Sequence, residues 1–315
     1  MKKSYEIDMC NGPLLGKLLI FALPLMLSGI LQLLFNAADI IVVGRFTGSH
    51  ALAAVGSTSS LINLLVNLFI GFSIGANVLT AQYYGAKDQK NIHQTIHTSI
   101  LISLIGGIIL IAVGVLLARP LLELMATPED VLDQATLYMK IYFCGMPATM
   151  VYNFGAAILR AIGDTRRPLY FLFTAGVLNL FLNLFFVIVF HMGVAGVALA
   201  TIISQTLSAI LVVRCLTNLD GICRLYLKQL KIYPEKLLRI VQIGLPAGLQ
   251  GAVFSISNVL IQSSVNSFGS IAMAGNTAAS NLEGFVYTSM NAVYQTALSF
   301  TSQNIGAGKY QRIGM

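Results

Sequence analysis

Residues 169–190 read LYFLFTAGVLNLFLNLFFVIVF, a run without one charged side chain. About 20 such residues, wound into a helix, cross the hydrocarbon core of a bilayer. The rest of the chain follows the same pattern. Only 10% of its 315 residues are charged, 56% are hydrophobic, and the mean hydropathy is +0.79. A soluble domain carries about 25% charged residues, so lipid is the solvent for most of this chain. The expected fold class is an all-α polytopic membrane protein. Outward from 169–190, seven further segments are long and apolar enough to span: 18–44, 51–80, 96–118, 137–159, 192–214, 237–266 and 272–303. The stretch 240–282 is uncharged and too long for one helix, so the break belongs at 267–270.

Lysine and arginine set the orientation, because positive charge stays on the cytoplasmic side. Lys2, Lys3 and Lys17 precede the first span, and Lys87 and Lys90 follow the second. Arg160, Arg166 and Arg167 follow the fourth, and six more basic residues, Arg214 through Arg239, flank and fill the linker after the sixth. Lys309 and Arg312 follow the eighth, whereas the opposite side holds only Arg45 and Arg119, with Lys140 near the start of the fourth span. The N-terminus and residue 315 are therefore both expected in the cytoplasm, with the spans in the plasma (inner) membrane. The leader has two lysines but also Glu6 and Asp8 and no small-residue cleavage site, so it reads as retained. The net charge of +7 does not mark a nucleic-acid binder, because no basic patch interleaves with aromatics. The four cysteines show no CxxC spacing and no disulfide framework.

An internal repeat runs through the chain. Leu23-Pro24 recurs as Leu245-Pro246, and Gly48-Ser49 with Ala51 and Ala53 recurs as Gly269-Ser270 with Ala272 and Ala274. The stretch AQYYGA at 81–86 aligns with SQNIGA at 302–307. The offset is 221 or 222 throughout. Six spans separate the copies, an even number, so both start on the same face and are related by an axis along the membrane normal. The second copy stops after two spans, and four more helices would be needed to match spans three to six.

Three loop segments give the chain a resemblance: AQYYGAKD (81–88), ILRAIGDTRRP (158–168) and SQNIGAGKYQR (302–312), together with the GVAGVA opening of the sixth span. They are similar to the cytoplasmic-loop signatures of MATE (multidrug and toxic compound extrusion) exporters. That resemblance implies twelve helices in two six-helix lobes around a central cavity. It also implies export of drugs or organic cations against a proton or sodium gradient, without a cofactor, by a monomer whose partners are its small-molecule substrates and the bilayer. In such a scheme 1–217 is the first lobe, 218–236 a cytoplasmic linker and 237–315 part of the second lobe, the chain being cut at about two thirds of the family's length. The loop residues also have a plain structural reading. Gly163-Asp164-Thr165 stops a helix, and Arg166 and Arg167 would then meet lipid phosphates.

Charge inside a bilayer costs from about 3 kcal/mol upward, so intramembrane acids are candidate functional residues. Asp39 and Glu283 are the acids well within spans. Ser28, Gln32, Asn36 and Asp39 follow helical spacing and share one face, expected to look inward. Apolar surroundings disfavour a charged carboxyl, which can then bind and release a proton near neutral pH. By resemblance, a proton-coupled branch of the family uses an Asp at the place of Asp39. Asn179 and Asn183, one turn apart in the fifth span, are positioned to hydrogen-bond it, and some relatives carry a second acid where Asn183 stands. Polar glue between helices is the bland alternative for this pair.

Glu283 shares a face with Tyr287, Asn291 and Tyr294, and the seventh span offers Asn258, Gln262 and Asn266. An anion among tyrosine rings suits organic cations; an interhelical hydrogen bond is the alternative. Some sodium-coupled relatives carry a Glu in the seventh span, and none is present here, which favours protons over sodium. His93 and His97 have i, i+4 spacing but no third ligand in sequence reach, so no metal is expected. A lipid-linked-sugar flippase of a related superfamily is the second reading, disfavoured because the intramembrane charges are acidic. A membrane-embedded enzyme or a structural partner is the third class, the enzyme disfavoured because neither GxSxG nor HExxH is present and the four histidines do not group. An inactive fragment is the fourth.

Overall fold

A computed structural model describes residues 5–125, 127–266 and 270–314, apart from the side chains at 49, 57, 60, 259, 260, 262, 263, 265, 266, 270–278 and 280–282. Among the described residues the chain is helical, with nine α-helices and no strand. They are α1 (Leu14–Phe46), α2 (Ser49–Gly85), α3 (Gln89–Leu124), α4 (Glu129–Cys144), α5 (Met146–Ala161), α6 (Arg166–Leu184), α7 (Gly193–Thr217), α8 (Pro234–Asn266) and α9 (Ser270–Gly306). Among the described residues six stretches are long and apolar enough to cross a membrane: α1, α2, α3, α6 with its extension to Val189, α7 and the first part of α8. The protein is thus a polytopic membrane protein. Large apolar side chains such as Leu116, Phe181 and Met290 face outward, while Thr95, Thr98, Ser99 and Ser103 are buried. That inversion is what a lipid solvent allows.

The fourth expected segment departs from a single helix over 137–159. It starts eight residues earlier, at Glu129 behind Pro128, and breaks at Gly145 into α4 and α5. Pro147 supplies the reason: it has no N–H to donate and its ring clashes with the carbonyl four residues back. Each half has 16 residues, about 24 Å of helix at 1.5 Å per residue, so the two are needed together to reach across. α8 ends and α9 begins on either side of 267–269, and these three residues of the expected break lie outside the described residues.

Tertiary packing bears out the repeat. α2 and α9 cross so closely that a Cβ on Gly85 would stand 2.0 Å from the Gln303 carbonyl oxygen, and one on Gly306 would stand 1.8 Å from that of Gln82. These two contacts are the same contact, exchanged by the offset of 221. Asn77 Oδ1 also accepts from Ser299 Oγ at 3.2 Å along the same crossing. Contacts that exchange under the repeat lie about an axis relating the two copies. Away from it, α1 packs on α9 as α2 packs on α8, with Asn67 Nδ2 donating to Ser255 Oγ at 3.2 Å across the second seam.

Both ends of the described chain lie at one end of the bundle. Lys309 Nζ donates to the Cys10 carbonyl at 3.0 Å and Arg312 Nη2 to that of Gly12 at 3.0 Å. The first turns of α2 and α4 meet at the other end, where His50 Nδ1 lies 3.3 Å from Asp130 Oδ2. Two basic residues do not look outward as expected. Lys236 is buried, with Nζ on the Tyr83 hydroxyl at 3.0 Å. Arg167 turns back to Asp164, at 3.2 Å, while Arg166 is exposed. Asp164 Oδ1 also accepts the backbone N–H of Arg166 and of Arg167 at 3.1 Å each, capping the start of α6. Burial pushes its carboxyl up from the ordinary value, and the bonds from Arg167 oppose that push.

Candidate functional site

Three helices build one polar cluster inside the apolar bundle. α6 contributes Asn179 and Asn183 one turn apart, and both are buried, Asn183 completely. α1 contributes Asp39, half-buried. The register between these helices is set one turn away, where a Cβ on Gly176 would stand 1.9 Å from the Phe35 ring. Any side chain at 176 would collide with that ring. Four residues after Phe35 comes Asp39, and the next turns of α6 bring Asn179 and Asn183, so the two polar faces meet.

The hydrogen bonds form a chain. Asn183 Nδ2 donates to Asp39 Oδ1 and also to Asn179 Oδ1, the latter at 3.1 Å. Asn179 Nδ2 donates to Thr201 Oγ1 of α7 at 3.4 Å, and that hydroxyl donates to the Val197 carbonyl at 3.0 Å. Asn183 Oδ1 is buried with no hydrogen-bond partner among the described residues. No Lys, Arg or His among them pairs with Asp39. The carboxyl therefore rests on an amide rather than on a cation. Directly after Asn183 the helix widens into a π turn, Phe185–Val189, a local irregularity common beside functional sites.

Of the residues singled out in the sequence, Asp39, Asn179 and Asn183 come together. Gln32 and Asn36 do not join them. Both are exposed, so the expected inward-looking face is kept only at Ser28 and Asp39, which are half-buried. A face of helical spacing rotates gradually off the seam as the straight helix advances, and only its ends meet neighbours here. Glu283 and Asn258 are exposed as well, and Tyr287 stacks on Phe254 of α8, ring centroids 5.7 Å apart. The side chain of Gln262 lies outside the described residues. No enclosed cation cage is therefore formed by the described members of this second group.

Three residues at the cluster went unread in the sequence. Thr201 sits in an otherwise apolar span and gave no signal. Tyr138 and Tyr142 of α4, stacked with centroids 5.9 Å apart, lie within electrostatic reach of Asp39. Their i, i+4 spacing was a usable signal, but a span thought to start at 137 put Tyr138 at its edge. The paired histidines stack on each other at 3.9 Å, and His97 accepts the Tyr226 N–H at 3.1 Å. Among the described residues no three His, Cys, Asp or Glu side chains gather in a way that could hold a metal.

Comparison with known proteins agrees with this architecture. The chain is 32% identical to the probable multidrug resistance protein YpnP of Bacillus subtilis (strain 168), over 97% of its own length and 68% of that protein's. It is 23% identical to the multidrug export protein MepA of Staphylococcus saprophyticus (strain ATCC 15305), over 81% of its length and 56% of that protein's. The chain thus spans roughly 56–68% of the curated relatives it matches. A solved structure described as the outward-facing conformation of a multidrug resistance MATE family transporter superposes with a TM-score of 0.91 at 23% identity, covering 100% of this chain and 70% of that one. The sequence profile of the MatE family matches residues 24–185, the stretch that supplies Asp39, Asn179 and Asn183, and the chain belongs to that family.

Proposed function

We propose that this chain is the proton-binding portion of an exporter of drugs and organic cations, with Asp39 as the group that takes up the coupling proton. The observation that carries the reading is the chain from Asp39 through Asn183 and Asn179 to Thr201. With Asp39 ionised, Asn183 Nδ2 donates to it. Once protonated, Asp39 becomes a donor, and the acceptor beside it is the unpartnered Asn183 Oδ1. Presenting that oxygen requires the amide to turn over. The turn breaks the bond to Asn179 Oδ1 and frees Asn179 relative to Thr201, so one proton rearranges the seams of α1, α6 and α7. A proton thereby biases one packing over another, which is what coupling requires.

Export of organic cations is supported by the names of the relatives and by the acidic sign of the intramembrane charge. Lys and Arg cluster at the end shared by both termini, which supports a cytoplasmic orientation of that end and residence in the inner membrane. Residues 1–217 would form one lobe and 237–315 part of the other, rocking about the α2–α9 axis.

The test is dye transport in everted membrane vesicles. Cells make either this chain or the chain continued by the unmatched part of the Bacillus subtilis relative. A cationic dye should accumulate under an imposed proton gradient, and Asp39→Asn should abolish the accumulation. Uptake driven by a sodium gradient alone, or surviving Asp39→Asn, would overturn the assignment.

A further inference from the structure

We infer that residues 5–12 form a releasable latch that ties the two repeat copies together at the basic end of the molecule. This segment has no regular secondary structure, so its backbone groups must find partners elsewhere. They find them on both copies. On the first, Ile7 N–H donates to the Gly163 carbonyl at 3.2 Å, the Tyr84 hydroxyl donates to Glu6 Oε2 at 3.2 Å, and the Arg167 guanidinium covers the Tyr5 ring at 5.2 Å. On the second, Asn304 Nδ2 donates to the Met9 carbonyl at 3.2 Å, and Lys309 and Arg312 hold the carbonyls of Cys10 and Gly12. Between these anchors Met9 is fully buried, packed with Phe21, Leu25, Ala292 and Phe300.

The docking place is shaped for this segment. Gly163 has φ +97°, and a Cβ there would stand 2.5 Å from the Ile7 carbonyl oxygen. Any side chain would strain the turn and push the segment off. Asp8 stabilises the bend itself: its Oδ1 accepts the N–H of Cys10 at 2.9 Å, and the Asn11 side-chain amide, at 2.9 Å, leads the interactions that hold its carboxyl below the ordinary value.

A segment bonded to both copies cannot keep both sets of bonds when the α5–α6 turn moves away from the C-terminal end of α9. Opening of this end must therefore release one side of the latch. On the second copy the outer anchors, Lys309 and Arg312, are the ones suited to let go, while Asn304 and the packing of Met9 lie deeper. Lys309 and Arg312 are long, half-buried side chains that hold main-chain carbonyls and no charged partner among the described residues, bonds that water can replace. The latch also continues directly into α1, the helix bearing Asp39, so a shift of α1 moves it. The latch stands on the geometry alone; only its place in a transport cycle rests on the export reading.

Double electron–electron resonance tests it without any transport assay. Spin labels at Lys90→Cys and Gln311→Cys, in a background with the four native cysteines replaced by serine, report the separation across this end. The first variant carries Lys309→Gln with Arg312→Gln; the second replaces 5–12 by glycine and serine at equal length. Both are expected to raise the population of a longer distance about tenfold. An unchanged single distance in the two variants overturns the latch. So does loss of the folded protein in the Lys309/Arg312 variant, since the segment would then be fixed scaffolding and not a releasable contact.

Discussion

α1 and α8 occupy equivalent places in the two copies of the repeat, yet only one of them is chemically active in our reading. Both contain a proline at the matching position, Pro24 and Pro246, and both pack along the long helix of the opposite copy. Asp39 of α1 corresponds by the offset of 222 to Ile261 of α8, which is an exposed aliphatic side chain. The α2–α9 crossing shows the opposite tendency, with Gly85 and Gly306 doing the same job on each side. Symmetry is thus kept where backbones touch and lost at Asp39, the group we propose to take up the proton. Close packing tolerates no side chain at the axis, so both copies must meet the same demand. A titratable group needs only one copy to have partners, and α6 and α7 supply them only to α1.

Each experiment below strains that contrast, starting from the largest expected effect. Asp39→Asn should lower gradient-driven dye accumulation by about 100-fold, because the amide cannot titrate. Adding Ile261→Asp in the same chain should not restore it, since among the described residues no amide pair faces position 261; recovery would show the two copies to be chemically interchangeable. Gly85→Val and Gly306→Val should each cost about 2–3 kcal/mol of stability through overpacking against backbone, read as equal drops in thermal midpoint in detergent. Unequal drops would break the symmetric account of the crossing. Asn183→Ala should reduce accumulation about tenfold while leaving the protein folded, the loss of a buried hydrogen bond to a charged group being about 1.5–3 kcal/mol. Glu283→Gln should change dye accumulation by about twofold at most, an exposed carboxylate contributing about 0–1 kcal/mol through pairing. A large loss there would move substrate recognition to α9.

Much of this protein was legible before any coordinates. Uncharged runs near 20 residues have one stable form in lipid, so composition and run length gave the helices and the loops between them, apart from the earlier start at Glu129 and the break at Gly145. The offset of 221–222 gave the repeat, because identical packing demands at an axis leave matching residues in both copies. Asp39 stood out because a lone acid in an apolar helix is costly, and Asn179 and Asn183 because two amides shared one turn. What only the tertiary structure decided is which helices meet and in what rotation. The Phe35 ring on Gly176 sets the α1–α6 register, and it leaves Asp39 on Asn183 while Gln32 and Asn36 stay exposed. Thr201, Tyr138 and Tyr142 enter through α7 and α4, whose proximity no spacing along the chain encodes. The same holds for Tyr5–Gly12 laid across Gly163 and Asn304. Periodicity fixes which residues share a face of one helix; contacts between helices depend on their rotation and depth, and those are settled by packing all of them at once.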